Sequence, residues 1–92
     1  MKHAGPKALD RIEPLLKQLR GHAGLKEKSR GCFYLRGRSF LHFHEHGEDE
    51  IWADIGLGAA FERLAAMTAA QHKLILKRAA RALADGKPVP KR

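Results

Sequence analysis

The chain has one cysteine, one tryptophan and one tyrosine, and it is short of acid: 10 Asp plus Glu stand against 18 Lys plus Arg in 92 residues. A single cysteine, Cys32, excludes an intramolecular disulfide framework and suits a reducing cytoplasm. No apolar run approaches the ~20 residues of a membrane span, so no membrane partner is expected. Residues 1–10 contain no apolar stretch resembling a secretion signal. The length leaves room for one core, and 43% hydrophobic residues argue against wholesale disorder. Residues 1–86 are expected to form a single α+β domain, and residues 87–92 (KPVPKR) a mobile basic tail.

The net charge of +8 is uneven. Residues 1–31 carry +5, residues 32–67 carry −3, and residues 68–92 carry +6. The chain is basic at both ends and acidic in the middle, where His42, His44 and His46 also lie.

Ala8, Leu9, Ile12, Leu15, Leu16 and Leu19 recur at helical spacing opposite a charged face, and Gly21 and Gly24 mark the end of that helix. Pro14 inside it implies a late start capped by Asp10, or a kink. Residues 22–31 (HAGLKEKSRG) read as a basic loop. Three strand-type runs follow, over 32–36, 39–45 and 50–55, with Gly37 and Gly47 in the connections. Residues 59–66 read as a short helix. Thr68 and Gln71 form a capping box opening a longer helix that ends at Asp85-Gly86. The fold class expected is α+β, a three-stranded antiparallel meander with N- and C-terminal helices packed on one face (α-β-β-β-α-α).

The segment Phe40-Leu41-His42-Phe43-His44-Glu45-His46 carries the most chemistry. Alternation along a strand sends Leu41 and Phe43 toward the helices and Phe40, His42 and His44 to the open face. A hairpin centred near Gly47-Glu48 sets Trp52 across from His44 and Asp54 across from His42. Tyr34, Arg36, Phe40, His42, His44, Trp52 and Asp54 are therefore the candidate ligand-binding surface. Rings beside titratable groups suit a planar or anionic small molecule, a protein partner, or a second copy of the sheet in a homodimer.

Three other readings compete. Imidazoles at i and i+2, about 6 to 7 Å apart on a strand, are able to share a zinc or iron ion, with Asp54, His46 or Glu48 as a third ligand. Catalysis would use Cys32 as nucleophile, His42 as base and Asp54 as orienter, but a flat sheet excludes little water and builds no oxyanion site. A non-enzymatic role is the better expectation. Lys73, Lys77 and Arg81, with Arg78 beside them, make a positive helix stripe suited to non-specific contact with nucleic-acid phosphates. His72, on the apolar side of that helix, reads as a satisfied core histidine.

Three resemblances accompany these residues. Gly37, His42, His44, Glu48 and Gly56 resemble the first motif of cupins, which implies a metal-ligand set; three strands do not make a cupin barrel. The F-L-H-F-H-E strand, followed by a strand ending in Ala53-Asp54, resembles small bacterial proteins of unassigned activity. Phe33, Gly37 and Phe40 fit the Phe-x-x-x-Gly-x-x-Phe hairpin of the MmcQ/YjbR double-wing family. That resemblance covers residues 25–64 and implies an α+β fold with suspected DNA binding.

Overall fold

Strand pairing dominates the structure, a computed structural model that describes residues 2–47, 49–57 and 60–86, with the backbone alone at Leu57. The elements in order are β1 (Lys2–His3), α1 (Pro6–Arg11), α2 (Glu13–Arg20), β2 (Leu25–Ser29), β3 (Cys32–Leu35), β4 (Arg38–His46), β5 (Glu50–Leu57), β6 (Ala60–Ala65) and α3 (Ala69–Asp85). The fold is α+β, but the sheet has six antiparallel strands rather than three. β2 to β6 form a meander in chain order, and the two-residue β1 pairs with the far end of β4. The proposed tail, 87–92, lies outside the described residues.

Besides β1, two segments account for the enlarged sheet. The expected basic loop contains β2, where Leu25 and Glu27 are half-buried and Lys26 and Lys28 are exposed. Burial pushes the Glu27 carboxyl up, but hydrogen bonds from Arg20 and the Gly31 amide outweigh it and leave Glu27 below its usual range. The expected short helix is instead β6, whose period of two sets Phe61 and Arg63 on one face and Glu62 and Leu64 on the other. Its alanines favour a helix locally; pairing along β5 overrides that preference.

Pro14 resolves as a break. α1 ends at Ile12 (φ −107°, ψ 15°), and α2 restarts so that Pro14 sits in its first turn, where no helical N–H is required. Asp10 caps neither helix. α3 opens at Thr68 with a reciprocal Thr68–Gln71 capping box and closes at left-handed Gly86.

All three helices pack on one face of the sheet. Leu9, Ile12, Leu15, Leu16, Leu19, Ile75 and Ala79 share a core with Phe33, Leu35, Leu41, Phe43, Ala53 and Ile55. Phe40 joins them, completely buried. Phe33 pairs with Leu41 but Tyr34 pairs with Ser39, so Phe40 is the extra residue of a β-bulge. The bulge breaks the alternation and turns Phe40 into the core with Leu41. Its expected place on the open face is therefore corrected.

Candidate functional site

The face away from the helices is organised by β4. His42 pairs with Cys32 on β3 and with Asp54 on β5, and Asp54 pairs in turn with Arg63 on β6. One residue pair along, His44 lies between His3 on β1 and Trp52 on β5. Two parallel rows of side chains cross the sheet on this face.

The first row centres on Asp54, the buried charged side chain among the described residues. Arg63 Nε donates to Asp54 Oδ1 at 2.9 Å, and an Arg63 terminal nitrogen donates to Oδ2 at 3.3 Å. His44 Nε2 lies 3.1 Å from Asp54 Oδ2. A buried carboxylate needs such partners, because desolvation otherwise penalises its charge heavily. The hydrogen bond to Asp54 raises the Arg63 guanidinium further above its usual range. Arg63 is more than half exposed, so it also presents a cation to solvent.

Rings make up the rest. His42 and His44 are 5.4 Å apart between centroids, His3 and His44 6.0 Å, and His42 and Phe61 6.2 Å. Ser39 Oγ sits 2.6 Å from His42 Nε2, and Cys32 Sγ sits 3.1 Å from His3 Nε2. Trp52 donates from Nε1 to Glu50 at 3.1 Å. At the β2 end, Lys26 pairs with Tyr34 across the ladder, and Lys28 Nζ stands 4.3 Å from the Tyr34 ring centroid.

The structure thus brings together Tyr34, His42, His44, Trp52 and Asp54 on one face, and removes Phe40 from it. Arg36 lies beyond them, exposed at the β3–β4 turn with φ 50°. For the metal reading, His42 is turned to Ser39 and His44 to Asp54. Among the described residues no three His, Cys, Asp or Glu side chains converge as a metal set. Glu48 lies outside the described residues. Cys32 Sγ meets His3 Nε2 and His42 Nε2 meets Ser39 Oγ, so the nucleophile and base of the catalytic reading, though ladder partners, each contact another side chain.

Sequence reasoning did not place His3, Lys26, Lys28, Ser39, Phe61 or Arg63 on this face, although Lys26 and Lys28 were legible as loop cations suited to nucleic-acid phosphates. The two lysines and Phe61 with Arg63 were hidden by reading β2 as a loop and β6 as a helix. Their i, i+2 spacing was the available signal.

On α3, Lys73, Lys77 and Arg81 are exposed. Arg78 leaves the stripe and binds Glu62 on β6 at 2.7 Å. Ala70, Lys73, Leu74, Leu76, Lys77 and Ala80 line an open groove there, away from the sheet face. His72 Nε2 is 2.8 Å from the Ala66 carbonyl oxygen, a satisfied histidine. None of the described helices is long and apolar enough to cross a membrane.

No family model matches this chain, and neither a curated protein nor a solved structure matches it. The hairpin likeness to the double-wing family rests on Phe33, Gly37 and Phe40, which have local roles here: two buried core rings and a turn glycine at φ 81°.

Proposed function

We propose that this is a non-enzymatic binding domain of the cytoplasm whose helix-free sheet face receives a planar anionic ligand. The observation that carries the reading is the cluster of half-buried rings His44, His42 and Phe61, with Trp52 and Tyr34 beside it, flanked by cations on the β2 and β6 sides. Lys26 and Lys28 supply the positive charge from β2, and at β6 Arg63, paired with Asp54, keeps more than half of its side chain exposed to a ligand. Asp54 sits within this field, but its charge is engaged by Arg63 and His44, so it opposes an anion weakly. Planar rings offer stacking area and the flanking cations offer charge complementarity.

Adenosine monophosphate is a suitable probe, being planar and anionic, and Trp52 is the sole tryptophan reporter. Titration should change Trp52 emission saturably, and Arg63→Gln or Lys28→Gln should weaken the change. Unchanged emission would overturn the reading. So would a ligand-free dimer that buries Trp52, detected by sedimentation, since the face would then belong to a second copy.

A second reading has its own observation. Lys73, Lys77 and Arg81 repeat at i, i+4 and i+8 on α3, exposed, and none takes part in an ion pair found among the described residues. Like charges at that spacing cost helix stability, which favours a phosphate-bearing partner such as duplex nucleic acid. The zinc or iron reading of His42, His44 and Asp54 has less support, because these side chains are engaged with Ser39, Arg63 and one another.

A further inference from the structure

We infer that the occupant of the sheet face is a single-stranded nucleic acid, an inference that rests on the planar-anion reading and makes it specific. Sequence segments alone separate the charge from the rings, since residues 32–67 are net negative. The fold undoes that separation. β2 brings Lys26 and Lys28 from the basic N-terminal third alongside Tyr34, while Arg63, itself within residues 32–67, stands on β6 alongside Asp54. A run of rings then crosses the sheet between flanking cations: Lys28, then Tyr34, His42, Trp52 and Phe61, then Arg63.

A single strand needs this combination. Its bases expose faces that stack on side-chain rings, while its phosphates track positive charge. In a duplex those base faces are already stacked, so a ring-bearing flat sheet gains little from it. From β2 to β6 is four inter-strand steps, about 19 Å at ~4.8 Å per step. That accommodates roughly three nucleotides, close to the two or three bases that ring-bearing four-stranded sheets stack. Recognition of this kind is sequence-tolerant, because every base has a stacking face.

The test is fluorescence anisotropy of labelled oligouridylate and oligothymidylate of about eight nucleotides, within the usual site size of single-strand binders. Each is titrated with the intact protein at about 50 and about 200 mM salt. The two arms share their phosphates but differ in the sugar 2′-hydroxyl and the thymine methyl, so oligodeoxyuridylate is the third arm; its comparison with oligouridylate isolates the sugar and identifies the source as RNA or DNA. Tyr34→Ala or Phe61→Ala should weaken binding roughly 5- to 150-fold, the range for losing one stacked base. Lys26→Gln and Lys28→Gln, at exposed positions where folding is preserved, should each lower the salt slope by about 0.7.

A duplex of equal length binding as tightly as the single strand would overturn the inference. So would loss of binding in Lys73→Gln/Lys77→Gln with none in the sheet variants. If no oligonucleotide binds but adenosine monophosphate still changes Trp52 emission, the inference fails and the planar-anion reading stands. If both probes fail, both fall.

Discussion

Truncating Phe40 to alanine distinguishes the bulged strand from a regular one. In a regular β4, Phe40 would share the open face with His42, and its loss would cost little. In the structure its ring is completely buried among core side chains. Phe-to-Ala changes at such sites cost about 3–5 kcal/mol, the transfer term plus the cavity left behind. A chain of this length has a total stability of roughly 5–14 kcal/mol, so the variant loses a large fraction of it. At about 4–8 °C per kcal/mol for a domain this size, the melting temperature should fall on the order of 12–40 °C. Ser39→Ala is the matched control on the other side of the bulge. It deletes a half-exposed hydroxyl and its 2.6 Å contact with His42, and should cost about 1 kcal/mol. Thermal and urea unfolding followed by circular dichroism measure both. A Phe40→Ala cost below about 1 kcal/mol, no larger than the control, would refute the bulge and restore regular alternation.

Other perturbations probe the frame that holds the site. Thr68→Ala removes one half of the α3 capping box and should destabilise by about 1 kcal/mol in urea unfolding; no measurable loss would mean that the helix starts elsewhere. Gly31 has φ 80°, and an added Cβ would stand 2.6 Å from Leu9 Cδ2. Gly31→Ala should therefore cost at least about 1–2 kcal/mol, and a neutral result would contradict that turn. Glu45 accepts a 2.6 Å hydrogen bond from the Gly5 amide, which with nearby Lys2 holds its carboxyl below the ordinary 4.5. Because the folded value lies below the unfolded one, this contact stabilises docking of β1 above the ordinary carboxylate range and is lost as pH falls through the lowered value. The Gly5 amide resonance should titrate below 4.5; titration above it would refute the assignment.

Some of this was legible in the sequence, and the reasons are local. The α3 boundaries follow from Thr68, Gln71 and Gly86, whose chemistry acts within one turn. The His42–Asp54 and His44–Trp52 pairs follow from hairpin arithmetic about Gly47. Phe40 was not legible, because a bulge is fixed by pairing with β3 and leaves no mark in an alternating run. β2 and β6 were obscured for opposite reasons: LKEKS lacks the apolar residues of a typical strand, and AFERLA has helix-forming composition. Both are edge strands of the meander, with one neighbour each in chain order. Misreading them also dissociated the positive charge from the rings, since Lys26, Lys28 and Arg63 reach the face only through those strands. The +8 charge therefore does not belong to the helical ends alone.

A map of backbone amide shifts on adding adenosine monophosphate tests the central claim most directly, because it reports both surfaces at once. The account predicts shifts concentrated at Tyr34, His42, Trp52, Phe61 and Arg63, with α3 unchanged. Shifts confined to Lys73, Lys77 and Arg81, with the sheet unchanged, would contradict it.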